Sequence, residues 1–478
     1  MQAEETNIAS KTGENQVSFR TRSGIVEKGA VARATRFEAS FTVYGPTVVV
    51  ETSEVLNDFQ LSLDGKVAYS GRAVVKAALP EDGGMVCAVV LEAESWVDVS
   101  ATTPNLAREF QDYMLQASRR THITHEFKLV VSDMHDFINE MRGWASKLEL
   151  DLAKITSPPA RLAAERTALD QVRPIALPLL HNLFERFEAA AKNVPPNRLA
   201  EHAAYVKRIL HPLVLCSPFM HRTYAKPLGY AGDYEMVAMM ARDPYEGSST
   251  FAKLMNTYFL DTSPVVAHRQ RLLMLTESLF KEACRGQLAN RRVSMFNLGC
   301  GPAWEIRDFI AQHEVSNLVD FTLLDFNEET VQSTGQALRD QARKYGRTTT
   351  FKMIHKSVAQ LLKEAARSAM AGPRYDVVYC AGLFDYLNDP VCVKLVELFY
   401  QMVAPGGLML VTNVDNYNPC RNWMELAVDW VLIYRNSESM RTLIPPEASM
   451  DNVVIRSDLE TGVNIFLEIR KPHAGLQR

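Results

Sequence analysis

No stretch of the 478-residue chain approaches the roughly 18 consecutive apolar residues that a membrane-spanning helix needs, so stable membrane insertion is not expected. Nor is there an excess of positive charge. The 52 Lys and Arg against 56 Asp and Glu leave a formal net charge of −4, which argues against nucleic acid as a partner. Cysteine is sparse and scattered: Cys87, Cys216, Cys284, Cys300, Cys380, Cys392 and Cys420 include no C-x-x-C pair. Neither a disulfide framework nor a zinc site is therefore expected, and a reducing compartment fits. The opening MQAEETNIASKTGENQ has no basic region followed by an apolar one, so it does not read as a secretory signal. Together these absences lead to the expectation of a soluble, cytoplasmic protein. Its length implies two or three domains.

What is present divides along the chain. Residues 1–16 are polar and read as a disordered tail. Over 17–100, short alternating runs rich in Val, Thr and Tyr are separated by Gly-Pro, Asp-Gly and Gly-Gly, which predicts a small antiparallel β-barrel. After Pro104 the apolar period changes to three and four, and Pro-Pro pairs punctuate the pattern, so 104–216 reads as a helical bundle and a natural homodimer surface. His122, His125 and His135 in that bundle have no acid at ligand spacing, so no metal is expected. The segment HRTYAKPLGYAGDYEMV within 217–254 reads as an ordered loop or lid, with Asp233 placed to cap the following helix. From 255 to 472, strand-like and helix-like runs alternate, as in a doubly wound α/β sheet. The short LETG between the last two strands leaves no room for a crossover helix, so those strands should pair antiparallel.

Ligands of such sheets bind outside the carboxyl ends of the strands. The first strand ends in MFNLGCGPAWEI, where Gly299 and Gly301 let backbone approach a ligand and Pro302 suits a first helical turn. Alone, that pair of glycines reads equally as a tight turn. The second strand ends in TLLDFNEET. Asp325 there, 26 residues beyond Gly299, can accept both ribose hydroxyls of a nucleoside, and Phe326 can lie against a purine; Asp325 or Asn327 can also cap the next helix. Ser357 and Val358 follow the third strand where an adenine edge would lie, and Cys380 and Ala381 follow the fourth. Asn297 occupies a position where an acid often ends the first strand, so a positive charge there would be met by backbone carbonyls, such as that of Cys380, or by an acid from elsewhere, Glu305 or Asp233.

The ordered set FNLGCGP, LLDFN, YDVVYCAGLFDYL and APGGLMLVTN resembles class I S-adenosylmethionine-dependent methyltransferases over 255–472. The resemblance implies a Rossmann-like domain whose seven-stranded sheet has an antiparallel last strand. It also implies S-adenosylmethionine as cofactor and S-adenosylhomocysteine as product. Gly299 and Gly301 would pass the methionine part, Asp325 would hold the ribose, and Ser357 with Val358 would frame the adenine. RTYAKPLGYAGDYEMV and MELAVDWVLIYR further resemble bacterial proteins for biosynthesis of the extracellular factor 3-hydroxypalmitic acid methyl ester, which carry a PilZ-like N-terminal domain. The barrel here would be a degenerate member: Arg33 and Arg36 are too closely spaced for the R-x-x-x-R motif, which argues against cyclic di-GMP.

The expected activity is O-methylation of a small carboxylic acid, a 3-hydroxy fatty acid above all. Arg222, Tyr224, Tyr230 and Asp233 are candidates from the lid, with Arg222, Tyr230 and Asp233 also facing cofactor. Asn413 and Arg421 beyond the fifth strand are candidates for positioning the acceptor, and Trp423, Trp430 and Tyr434 on a helix over 421–435 for walling its acyl chain. Methylation of another small molecule or of a protein side chain stays open, because acceptor identity lives in loops. So does a regulatory scaffold that binds ligands without turnover. DNYNPCR is not the N-P-P-[YFW] pattern of exocyclic-amine methyltransferases.

Overall fold

The computed structural model describes residues 15–21, 26–44, 50–63, 66–81, 84–92, 95–97, 110–111, 114, 123–367 and 374–473. The expected tail lies outside these except for its last two residues, of which Gln16 already pairs in a strand; His122 lies outside as well. The chain forms two compact units. One comprises Met1–Gly232, Pro244–Phe259 and Pro419–Val431; the other Asp233–Asp243, Leu260–Asn418 and Leu432–Arg478. This division differs from the contiguous segment 255–472 expected above, because 255–259 and 419–431 pack with the first unit.

The strands in chain order are β1 (Gln16–Arg20), β2 (Val26–Ala34), β3 (Glu38–Tyr44), β4 (Val55–Leu63), β5 (Lys66–Glu81), β6 (Gly84–Leu91), β7 (Val293–Leu298), β8 (Val319–Asp325), β9 (Thr350–His355), β10 (Tyr375–Cys380), β11 (Val403–Val414), β12 (Val453–Ser457) and β13 (Asn464–Arg470). The helices are α1 (His125–Leu152), α2 (Pro158–Lys192), α3 (Leu199–Val214), α4 (Pro218–Ala225), α5 (Tyr234–Met240), α6 (Thr250–Phe259), α7 (Ser263–Leu288), α8 (Trp304–Gln312), α9 (Glu328–Lys344), α10 (Val358–Arg367), α11 (Asp389–Met402), α12 (Arg421–Val428) and α13 (Ser437–Arg441).

In the first unit, β1 to β6 close into a barrel of order β1-β2-β3-β6-β5-β4. Closure leaves no open edge, and the period of two sends alternate side chains inward. Phe19, Phe41 and Phe59 meet there with ring centroids 5.7–6.3 Å apart. Helices α1, α2, α3, α4, α6 and α12 belong to the same unit. The expected helix over 421–435 ends at Val428: Asp429 adopts a left-handed φ of 51°, and its N–H and that of Trp430 both donate to the Met424 carbonyl. Trp423 is buried between Phe184, Phe187 and Phe259, so it builds core and does not wall a pocket. Glu188 of α2 fixes the start of α12 by accepting from the N–H groups of Asn422 (3.0 Å) and Trp423 (2.7 Å).

The segment read as a lid also serves this unit. Lys226 is fully buried, and its ammonium donates to the Val428 carbonyl at 2.8 Å. Burial lowers its pKa to about 7, opposed by the nearby Asp429 carboxylate. Burial would raise Asp429 in turn, but Lys207, Lys226 and Arg72 together hold it below its ordinary value. Tyr224 lies under the Arg72 guanidinium, 4.5 Å from the ring centroid, and donates to Glu92 at 3.3 Å. These contacts join barrel and helices within the unit, so Tyr224 is a structural residue and not an acceptor-positioning one.

In the second unit the strand order is β12-β13-β11-β10-β7-β8-β9. β7 to β11 are parallel to their neighbours within that set, and β13 runs antiparallel to both β11 and β12, as the short loop between the last strands required. Both faces are covered, which explains the near-continuous apolar runs of β7 and β10. Met295 and Val377 face α7 and α8, while Phe296 and Val378 face α11. The Pro-Gly-Gly of 405–407 lies inside β11 and forms its irregular start, where Gly406 has a φ of 81°. The carboxyl end of β11 is anchored by Arg435, only 2% exposed, which donates to the carbonyls of Phe384 and Leu387, to Asn413 Oδ1 and to Asp389. Arg435→Ala leaves several of these acceptors buried and unpaired. It should lower the stability of this unit by about 2–4 kcal/mol in urea unfolding, the cost of leaving neutral buried acceptors unpaired; a loss below about 1 kcal/mol would contradict this account.

Candidate active site

The parallel ladder brings the carboxyl ends of four strands level. Leu298 pairs with Cys380 on one side and Leu324 on the other, and Asp325 pairs with His355. The chain runs outward from β7 through β8 to β9 and then returns to β10 on the far side of β7. The crevice between the ends of β7 and β10 is the topological switch point where open α/β sheets bind ligands.

At the end of β7, Gly299 and Gly301 have φ of 71° and 48°, a region that favours glycine. The Gly299 and Cys300 N–H groups donate to the Leu324 carbonyl at 2.8 and 3.3 Å. The Gly301 N–H donates to Asp325 Oδ2 at 3.1 Å, and the Gly301 carbonyl accepts from the Thr334 hydroxyl at 2.6 Å. A Cβ built on Gly301 would meet nothing within 4 Å, so the loop borders open space. Ala303 holds a left-handed φ of 50° immediately before α8. Pro302 therefore stands two residues ahead of the helix and not in its first turn.

Asp325 is buried, which raises its carboxyl pKa, while backbone N–H groups of Asn327, Gly301 and Phe326 draw it back down. Oδ1 accepts from the Asn327 N–H at 3.0 Å and Oδ2 from that of Gly301, and the carboxylate, with about four acceptor sites, keeps capacity for a further donor. The helix cap falls to Asn327, whose Oδ1 accepts from the Thr330 N–H at 2.8 Å. Phe326 is half-buried on the rim. Ser357 and Gln360 form a reciprocal cap at the start of α10, and Val358 packs against the sheet core. Cys380 is fully buried and burial pushes its thiol pKa far up, so it offers backbone and not a nucleophile. Ala381 and Gly382 are half-buried beside it, with the Gly382 N–H bonded to the Thr412 hydroxyl at 3.1 Å.

A charged cluster lies on the face where α7 and α8 cover the sheet. Glu305, 5% exposed, accepts from the Tyr379 hydroxyl at 2.8 Å. Burial raises its carboxyl pKa, and the Tyr379 bond and the Arg271 charge oppose that. Asn297 sits opposite Tyr379 in the ladder, and its buried Oδ1 has no hydrogen-bond partner among the described residues. Asp385 accepts from the Val414 N–H at 2.6 Å; burial raises its pKa to about 6 against the pull of Arg271 and Arg435. His268 and Arg271 of α7 complete the group. Reading the sequence found Glu305 but missed these two. Their only signal was a polar pair one turn apart at the start of a helix that otherwise reads as an ordinary amphipathic one.

Several other expected site residues are taken up by structural bonds. Asn413 is fully buried and its amide is consumed: Oδ1 accepts from Arg435, and Nδ2 donates to the carbonyls of Val414 and Ile433 at 3.0 and 2.8 Å. It cannot position an acceptor. Arg421, paired with Glu425 at 2.8 Å, belongs to the first unit together with Arg222, Tyr224 and Tyr230. Asp233 is buried, and its Oδ1 takes both cap bonds of α5, from Glu235 and Met236. Among the described residues, no group of three or more His, Cys, Asp or Glu could hold a metal ion. His135 instead pairs with Asp136 at 3.0 Å.

No family model matches the chain, and no curated protein does. Among solved structures, a "possible exported protein" from Bordetella parapertussis is similar over 66% of this chain and 99% of its own, with 15% identity and a TM-score of 0.41. The magnesium protoporphyrin IX methyltransferase of Synechocystis PCC 6803, bound to S-adenosylhomocysteine, is similar over 43% of this chain and 84% of its own, with 12% identity and a TM-score of 0.32. The N-methyltransferase NodS of Bradyrhizobium japonicum, also bound to S-adenosylhomocysteine, is similar over 50% and 98%, with 14% identity and a TM-score of 0.31.

The state of Asp385 gives a test in pH. Its folded pKa of about 6 exceeds the unfolded value of about 3.9, so folding binds the proton and this stabilisation is lost as pH rises through that window. Asp385→Asn keeps an oxygen for the Val414 N–H and removes the titration. Its stability relative to wild type should increase by about 1–3 kcal/mol between pH 4 and pH 7. Denaturation at several pH values checks this, and a difference independent of pH would refute it.

Proposed function

We propose that the protein is an S-adenosylmethionine-dependent methyltransferase acting on the carboxylate of a small acid, a 3-hydroxy fatty acid in the first instance. The observation that carries the reading is the Gly299–Gly301 loop, bonded to the Asp325 carboxylate and bordering open space at the switch point. Four ordered motifs of the methyltransferase resemblance end on that same rim. The residues fit the cofactor. Gly299 and Gly301 expose backbone to its methionine part, Asp325 has lone pairs for the ribose, and Phe326, Ser357 and Val358 border the base. Glu305 stands in for the acid absent at Asn297: one helical turn beyond the glycines, it is a buried carboxylate available to an ammonium.

When bound, the cofactor supplies an electrophilic methyl group on a sulfonium. What the chain must do is align a nucleophile with it and keep water out. A fatty-acid carboxylate is already ionised at neutral pH, since such pKa values lie near ~4, so no general base is needed. Strong stabilisation of that carboxylate would slow the transfer, which favours a few orienting donors over a dense cationic pocket. The barrel enters this reading as a degenerate PilZ-like domain with no role in the chemistry.

Incubation with methyl-labelled cofactor and 3-hydroxypalmitate should produce the labelled methyl ester. Cofactor binding without ester would remove this acid and leave the methyltransferase class in place. Gly301→Val should fill the space beside the loop and strain a left-handed position by about 1–2 kcal/mol. The expected result is a weakening of S-adenosylmethionine binding by about tenfold or more in calorimetry, with unchanged circular dichroism. Unaltered affinity would place the ligand elsewhere.

A further inference from the structure

We infer that Arg271 and His268 form a carboxylate-binding subsite at the β7–β10 end of the crevice. The identity of its ligand rests on the methyltransferase reading, whereas the subsite rests on geometry. The two residues lie one turn apart near the start of α7. The Arg271 guanidinium packs on the backbone of Gly382, the second residue after β10: a Cβ there would fall 3.0 Å from Nη2. Any larger residue at 382 would displace the cation. Asn464, paired with Val414 at the same end of the sheet, offers its Oδ1 to Nη1 at a long 3.5 Å. Arg271 thus sits over the carboxyl ends of the strands, where the glycine loop also ends.

A guanidinium has five N–H donors. Those of Arg271 meet His268 Nδ1 at 2.7 Å and the distant Asn464 oxygen, and no carboxylate among the described residues comes within ion-pair distance. Accepting from Arg271 at Nδ1 places the proton of a neutral His268 on Nε2. His268 is 6% exposed, and that Nε2 has no partner among the described residues. Burial and the adjacent Arg271 and Arg269 charges keep the ring neutral. A half-buried fork of unused donors beside a buried, unpaired N–H is a costly arrangement for an empty protein. An acceptor oxygen from outside would satisfy both.

The neighbourhood selects the kind of anion. Asp385 and Glu305 are close enough for their charges to act on Arg271, so the region lacks the positive excess that a phosphate dianion requires. A planar monoanion that takes parallel bonds from one guanidinium fits instead. Two carboxylates meet that description under the proposed function: that of the cofactor's methionine part and that of the acid acceptor.

Arg271→Gln and Arg271→Lys, assayed by calorimetry in the full chain, separate these sources. The probes are S-adenosylhomocysteine, 5′-methylthioadenosine (which lacks the carboxylate) and the soluble 3-hydroxydecanoate. A loss of about tenfold or more for S-adenosylhomocysteine, with methylthioadenosine unchanged, assigns the subsite to the cofactor. A comparable loss for the hydroxy acid alone assigns it to the acceptor. Either result upholds the subsite. Unchanged binding of all three, or equal loss for both nucleosides, overturns it. Lysine keeps a charge but not the fork, so Arg271→Lys should give a smaller loss in whichever arm Arg271→Gln weakens, and it decides the matter if Arg271→Gln does not fold. If the wild type binds neither nucleoside, the proposed function falls. The hydroxy acid then decides alone: binding that is lost in the variants upholds the subsite, and absent or unaltered binding overturns it.

Discussion

The bond from the Gly301 amide to Asp325 ties the end of one strand to the end of its neighbour. Without it the two left-handed glycines would be held only by the Leu324 carbonyl and the Thr334 hydroxyl. With it, the carboxylate assigned to the ribose in the proposed function also shapes the backbone assigned to the same cofactor. The register of the parallel ladder makes this possible, since Leu298, Leu324 and Cys380 finish at one level and their loops meet there. The crevice follows from strand pairing, and its side chains were chosen within that frame.

Charge burial is the second constraint. The proposed site places Glu305, Asp385, Arg271 and His268 near one another out of bulk water, and burial displaces the pKa of each from its ordinary value. Such groups are costly to bury singly and become acceptable in mutual company or with a ligand. The first unit makes a different use of the same physics. There Lys226, Lys207, Asp429 and Arg72 satisfy one another around a structural joint, with the Lys226 ammonium on a backbone carbonyl.

Most of the second unit was legible in the sequence because its signals are local. Turn residues and apolar runs gave the alternation of strands and helices, and the length of the LETG loop required the antiparallel pairing of β12 with β13. Asp325 and the glycines were legible for the same reason. The end of helix α12 was not, since an apolar run says nothing about the left-handed turn at Asp429, which stands beside cations from distant segments. Asn413 misled because a polar residue after a strand reads alike whether it faces a ligand or a buried arginine such as Arg435. Tyr224 misled similarly, its partners Arg72 and Glu92 lying more than a hundred residues away. His268 and Arg271 gave only the weak signal of a polar pair one turn apart: their meaning arises when α7 is laid over Gly382.

The threading of the chain has a consequence for how the protein is made. Residues 419–431 complete the first unit, yet they emerge from the ribosome after β7 to β11 of the second. Until then Glu188 has no amides of α12 to cap, and Lys226 has neither the Val428 carbonyl nor Asp429. The amino-terminal unit therefore cannot finish folding first, as sequential domains commonly do during synthesis. Completion of that unit waits on residues 419–431, and truncation ahead of Val428 would leave the buried Lys226 without the carbonyl and the carboxylate that it meets there.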